Sequence, residues 1–332
     1  MLDSLGGAVL VFLVSAAFVV AAGVGLARFG DDLADVTGWG KLWVGTLLVG
    51  IATSLPEVVV NISAVWLEKN PGLALGNVFG ADMINVFVLA IVALVFGVDK
   101  LFGAQGRDTE LLILAGLVLV AMALFFGSFG DIKLVGWTSV GAVLIGVAYV
   151  YGMRLVYKAG KTDMDLEDIR PPTGKARNAW IGFLVSVAVV IVAGRYLAAS
   201  ADALAEASGI SASFIGVLLV SIVTTLPEGS VTVAASLRRS YGIAMGNVYG
   251  SCAFNITIIS IADLFYTEGP LLRAMDGAHF AAALAALVLM SMGYAVYRLC
   301  RSNALAPARL VTSAIPVLYV GSLFAVFVLG QR

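Results

Sequence analysis

Two stretches decide how this chain is read: Gly50-Ile-Ala-Thr-Ser-Leu-Pro-Glu57 and Ser221-Ile-Val-Thr-Thr-Leu-Pro-Glu228. Each is followed by a second matching block. Gly72-Leu-Ala-Leu-Gly-Asn-Val-Phe-Gly-Ala-Asp-Met-Ile-Asn85 aligns with Gly242-Ile-Ala-Met-Gly-Asn-Val-Tyr-Gly-Ser-Cys-Ala-Phe-Asn255. A looser likeness precedes them, Asp31 to Asp35 against Ala201 to Glu206. Chance matches between apolar helices consist of Leu, Val and Ala. Here the shared residues are Thr, Pro, Glu, Gly and Asn, which a helix facing lipid would not choose. A sequence that repeats itself builds a repeated architecture.

The surroundings of both stretches are membrane-like. Hydrophobic residues make up 61% of the chain and charged residues 12%, against about 25% charged in a soluble domain. The mean hydropathy is +1.01. Apolar runs near the length needed to cross a bilayer, about 20 residues, fall near 6–28, 40–67, 71–98, 109–127, 133–157, 177–199, 210–237, 241–266, 278–298 and 309–330. The first run is expected to be a retained helix, because Met1 to Gly7 lacks the basic residues of a cleavable signal. A net charge of −1 gives no reason to expect a nucleic-acid partner. Two cysteines and a single histidine support neither a disulfide framework nor a histidine-built metal centre.

Basic residues set the orientation, since cytoplasmic loops collect Lys and Arg. With the N-terminus outside, the outer loops keep only Lys69, Lys133, Arg195, Arg273 and Arg332, and the remaining basic residues fall inside. Both termini are then outside, and the loop 158–176 is cytoplasmic. The expected fold is all-α, a polytopic membrane protein of ten transmembrane helices. Residues 1–157 form the first repeat, with its motif at 50–85, and residues 177–332 the second, with its motif at 221–255. Five spans per half reverse the second half relative to the first, so the repeats are inverted.

Glu57 and Glu228 lie well inside their spans. An acid at the bilayer centre costs about 2.5–3.5 kcal/mol on insertion scales, and no Lys or Arg lies at matching depth to offset it. The pair is either a cation site or two protonated structural glutamates. Other oxygen donors favour the cation. Thr53, Ser54 and Glu57 stand at i, i+1 and i+4, as do Thr224, Thr225 and Glu228. Pro56 and Pro227 lack an N–H and clash with the carbonyl four residues back, which predicts two matching helix breaks with freed carbonyls. A hard cation such as Ca2+ takes six to eight oxygens. On the following helices, Gly76-Asn77 with Gly80 and Gly246-Asn247 with Gly250 place small residues where helices approach closely. Asn85 and Asn255 follow, with Ala81 and Ser251 one turn earlier.

These paired segments resemble the α-repeats of the cation/Ca2+ exchanger superfamily, in particular its sodium/calcium exchanger branch, with G-x-(S/T)-(S/T)-x-P-E followed by G-N-x-x-G-S-x-x-x-N/D. The resemblance implies a secondary antiporter, not an enzyme. It would exchange Na+ for Ca2+ by alternating access at one midplane site, with the first and sixth helices moving. It implies ligands from Gly50 (carbonyl), Thr53, Ser54, Glu57, Ala81 and Asn85 in the first half. In the second it implies Ser221 (carbonyl), Thr224, Thr225, Glu228, Ser251 and Asn255. The transported ions are the only small partners besides the bilayer; no cofactor is implied, and a monomer suffices.

Three positions depart from the pattern. Ala81 replaces a serine, Ser221 replaces a glycine or small apolar residue, and Asn255 stands where K+-dependent members carry Asp, which argues against K+ cotransport. Asp82 has two readings: it lines the same wall and alters ion preference, or it is turned to another helix and hydrogen-bonded there. Asp263 is expected near the membrane interface, and the run Asp163 to Asp168 reads as a solvated acidic loop. The competing functions are H+/Ca2+ exchange, exchange of another divalent ion, a cation channel, and an intramembrane enzyme. The last lacks any HExxH motif.

Overall fold

The computed structural model describes residues 4–37, 53–103, 105–136, 138–160 and 176–331. In the first half these form α1 (Leu5–Thr37), α2 (Leu55–Trp66), α3 (Pro71–Phe96), a short α4 (Val98–Gly103), α5 (Arg107–Phe129) and α6 (Val140–Gly160). The second half contains α7 (Ala176–Ser208) and α8 (Ala212–Ile215), which runs through a π-helical stretch, Gly216–Val220, into α9 (Ser221–Leu237). It ends with α10 (Tyr241–Asp263), α11 (Gly277–Arg301) and α12 (Leu305–Gly330). Among the described residues, nine helical spans are long and apolar enough to cross a bilayer, with Ala212–Leu237 as one span. The shorter α2 is the described part of the remaining span. Residues 40–52, Gly50 among them, and the acidic run Asp163 to Asp168 lie outside the described residues.

The molecule is a polytopic all-α protein of two inverted five-helix repeats, and its packing follows that symmetry. Helices α3 and α10 are mostly buried and form the centre, whereas α6 and α12 leave most of their surface to lipid. Each central helix packs on the outer pair of the opposite repeat: α3 on α11 and α12, α10 on α5 and α6. The opening helices α1 and α7 lie against each other. Each also touches the motif helix of the other half, α1 at α9 and α7 at α2. The contacts are made by glycines at equivalent positions. A Cβ on Gly23 would lie 2.3 Å from the Pro227 ring, and one on Gly194 would lie 2.8 Å from Val59.

Three sequence expectations change. Helices α1 and α7 each run 33 residues, about 50 Å at 1.5 Å per residue. They therefore extend past the expected ends at 28 and 199, through the loosely repeated acidic stretches. The span expected from 133 begins instead at Val140. Lys133–Val135 and Thr138–Ser139 form a small antiparallel pair, with Lys133 opposite Ser139, because two acids hold that chain in place. Asp131 Oδ1 accepts from the amides of Ile132 and Gly141, both at 2.8 Å. Asp263 Oδ2 accepts from Ser139 N at 2.8 Å and its Oδ1 from Leu271 N at 2.7 Å.

The third change concerns the prolines. The first motif breaks as expected: Ser54 is non-helical (φ −88°, ψ 5°), and Pro56 sits at the start of α2, where a missing N–H costs nothing. The second does not break at Pro227, which lies inside the continuous α9. Its irregularity is the π-helical turn Gly216–Val220 ahead of the motif. There the Ser221 hydroxyl bonds back to the Val217 carbonyl, so a side chain satisfies a backbone group that irregular winding leaves short.

The N-termini of α3, α8 and α11 are tied together. Asp276 and His279 form a reciprocal capping box at α11, with His279 N donating to Asp276 Oδ1 and Asp276 N to His279 Nδ1, each at 3.0 Å. Ser213 Oγ donates to Asp276 Oδ2 at 2.7 Å, and His279 Nε2 lies 2.9 Å from the Gly72 carbonyl. Asn70 caps α3 by accepting from Leu73 N at 3.1 Å, ahead of Pro71.

Candidate cation site

The break at Ser54 turns its side chain off the helix axis and toward the other repeat. Its hydroxyl donates to Glu228 Oε1 at 3.1 Å, a bond that spans the two halves of the chain. The relation is reciprocal, since Glu57 faces Thr224 and Thr225 while Glu228 faces Thr53 and Ser54. The two carboxylates lie close enough to repel each other. Both are 1% exposed, and among the described residues neither forms an ion pair with a basic side chain. Among the described residues, each glutamate keeps one carboxylate oxygen, Oε2, without a hydrogen-bond partner. Buried carboxylate oxygens in that condition carry a high cost unless a cation or a proton neutralises them.

The remaining predicted positions, Gly50 apart, are all buried. Thr53, Ser54, Asp82, Ser221, Thr224 and Ala81 are fully buried, and Asn85, Thr225, Ser251 and Asn255 are at most 3% exposed. Their hydrogen bonds divide them. Among the described residues, Thr225 Oγ1, Ser251 Oγ and Asn255 Oδ1 have no hydrogen-bond partner and remain available as ligand oxygens. Thr224 Oγ1 donates to Asn77 Oδ1 at 3.2 Å, which leaves its lone pairs free. The Ser221 hydroxyl is committed to its own helix, and Ala81 has no side-chain oxygen to give. Asp82 is hydrogen-bonded to another helix, as one of its two readings had it, and the partner is Asn255, whose Nδ2 donates to Asp82 Oδ1 at 3.0 Å.

Sequence reasoning passed over residues that hold the glutamates in place. Asn61 Nδ2 donates to the Glu57 carbonyl at 2.7 Å, and Thr232 Oγ1 donates to the Glu228 carbonyl at 2.9 Å. Both stand one turn after their glutamate. A polar residue at i+4 from a buried acid, on the same face of an apolar helix, was the available signal. Asn247, read as part of a packing motif, donates to the Glu228 carbonyl and to Thr232 Oγ1, each at 3.0 Å.

Among the described residues, no three Asp, Glu, His or Cys side chains converge into a metal cluster. Two carboxylates and a surplus of neutral hydroxyl and amide oxygens suit a hard cation of the Na+ or Ca2+ kind.

The chain is 27% identical to the inner membrane protein YrbG of Escherichia coli K12, over 81% of each chain. It is also 27% identical to the sodium/calcium exchanger MaX1 of Methanosarcina acetivorans, over 87% of this chain and 93% of that one. Two kinds of solved structure share the fold. An H+/Ca2+ exchanger, CAX, superposes with a TM-score of 0.68 at 15% identity, covering 96% of this chain and 88% of its own. The sodium-calcium exchanger NCX_Mj superposes with a TM-score of 0.61 at 21% identity, covering 96% and 98%. The sequence pattern of the family described as "Sodium/calcium exchanger protein" matches residues 7–155 and 178–329, once in each repeat. The chain therefore belongs to the sodium/calcium exchanger protein family.

Proposed function

We propose that this protein is a secondary antiporter that moves Ca2+ against Na+ through one site between its repeats. The observation that carries the reading is the crossed pairing at the centre, in which the hydroxyls of each repeat face the glutamate of the other. A cation held there by Glu57 and Glu228 binds both halves at once. Its ligands are Thr53, Ser54, Thr224, Thr225, Ser251, Asn85 and Asn255, with backbone carbonyls at Gly50 and Ser221. An empty site leaves two carboxylates facing each other, which opposes reorientation. Exchange then requires that one ion replace another before access switches. The movement falls to α1 and α7, which pack on each other and meet the motif helices through Gly23 and Gly194. The excess of basic residues in one set of loops supports an orientation with both termini outside. Kinship with an E. coli inner membrane protein supports a bacterial inner membrane.

A second reading is H+/Ca2+ antiport, favoured by the fold shared with an H+/Ca2+ exchanger and by the additional buried acid Asp82. Uptake of 45Ca2+ into proteoliposomes loaded with Na+, K+ or an acidic buffer separates them. Uptake driven by Na+ alone is the expected result. Uptake driven only by the proton gradient overturns the Na+ assignment, and uptake without any gradient overturns antiport in favour of a channel.

A further inference from the structure

Helices α3 and α10 place Asp82 and Cys252 at equivalent positions, one turn short of Asn85 and Asn255 respectively. Only one of the two asparagines has its amide held. Asn255 Nδ2 donates to Asp82 Oδ1 across the interface between the repeats, at 3.0 Å, while Asn255 Oδ1 is buried without a partner. On the other side Cys252 offers a thiol that lies against the Asp82 backbone carbonyl, at 4.0 Å. Among the described residues Asn85 Nδ2 has no partner. Both asparagines and Asp82 are at most 1% exposed.

An amide presents a donor at one end and an acceptor at the other, and turning it over exchanges them. A carboxylate oxygen facing it takes the donor end. Asp82 therefore fixes the Asn255 amide with its nitrogen toward α3 and its oxygen away from it. Resting on the reading of this centre as a cation site, we propose that Asp82 is a positioning residue. It binds no ion itself but holds the Asn255 carbonyl oxygen toward the ion. Oδ1 of Asp82 is committed to Asn255, and Oδ2 has no hydrogen-bond partner among the described residues. What separates this role from that of a direct ligand is that, among the described residues, Asp82 does not gather with Glu57 and Glu228 into a cluster of three acids. The first repeat has no such device, because Cys252 cannot orient Asn85 as a carboxylate would. The site thus has one fixed amide wall and one adaptable one.

The test uses the full-length protein in proteoliposomes, with KM and maximal rate for 45Ca2+ and Glu228→Gln as the control on the site. Removing an outer partner that orients a metal ligand costs about 10- to 100-fold in affinity. Asp82→Leu should therefore raise KM about tenfold or more and change the maximal rate less. Asp82→Asn, whose amide can hold Asn255 in either sense, should give a smaller rise. Asn255→Asp alone sets two acids against each other and should transport worst. The double exchange Asp82→Asn with Asn255→Asp restores one donor facing one acceptor and should return KM to within about threefold of wild type, the spread expected of context. If Asp82→Leu does not fold, the other three variants still carry the test. Wild-type KM in both Asp82 variants overturns the proposal, and so does a double exchange no better than Asn255→Asp. Inactive Glu228→Gln alongside either result leaves the cation site standing and removes only this role. Active Glu228→Gln removes the site itself.

Discussion

Helices α3 and α10 occupy the same place in the two repeats, yet they are held there differently. On α3, Gly76 and Gly80 lie directly on the backbone of the opposite repeat. An added Cβ would stand 2.4 Å from the Ser213 carbonyl or 2.4 Å from the Val217 carbonyl. Gly216 meets the α3 backbone in return, 2.5 Å from the Leu73 carbonyl. The asparagines beside these glycines divide the two helices. Asn77 Oδ1 on α3 accepts from Thr224 of the opposite repeat at 3.2 Å, whereas Asn247 on α10 donates to Glu228 and Thr232 of its own repeat, each at 3.0 Å. The same motif residue thus bonds across the interface in one repeat and within its own half in the other. A repeated motif does not guarantee repeated contacts.

The largest expected effect tests whether this asymmetry reaches the carboxylates. Glu57→Gln and Glu228→Gln each remove a charge that the ion needs, worth about 3 kcal/mol or about a hundredfold. Both should bring Na+-driven 45Ca2+ uptake to background while the purified proteins stay monodisperse. Equal loss means that the centre is symmetric although its walls are not. Measurable exchange in one variant alone would extend the asymmetry to the site.

The next effect concerns the glycines. Gly80→Ala drives a methyl group into the Val217 backbone, and such overpacking costs about 1–3 kcal/mol. Thermal unfolding in detergent should therefore fall for Gly80→Ala. An unchanged midpoint would show that α3 and the π-helical turn separate at little cost.

The smallest effect lies at the helix caps. Helix α11 begins with the Asp276 and His279 box, whereas α5 begins at Gly106 with no side-chain cap. Asp276→Ala should cost about 0.5–2 kcal/mol. Burial raises the Asp276 carboxyl, but its bonds to His279 and Ser213 outweigh that and hold it below the ordinary carboxylate range. A depressed native value contributes stability that is fully present above the unfolded value, near pH ~4, and is lost as pH falls through the native one. Wild-type melting should thus fall more steeply than that of the variant as pH drops below about 4. Parallel curves would remove Asp276 from the acid response.

Much of this was legible in the residues themselves. Glu57 and Glu228 announce a site because a buried acid in a membrane span has no cheap explanation, and the neighbouring hydroxyls recur at the same spacing. Other features were not. The matching prolines predicted matching breaks, but Pro227 is absorbed into α9, because the π-helical turn upstream takes up the irregularity instead. Asp82 was ambiguous, since spacing along one helix cannot say which residue of another helix faces it.

The sequence by itself determined the membrane setting, the doubled inverted plan and the two acids at its centre. These follow from local composition, period and repetition, which need no knowledge of neighbours. The tertiary structure alone decided that Ser54 serves the glutamate of the other repeat and that Asp82 faces the Asn255 amide. It also decided that Gly80 touches the backbone of the opposite repeat. Each of those depends on contacts between segments far apart in the chain. Packing places such segments together, and two copies of one motif need not pack alike when the residues around them differ.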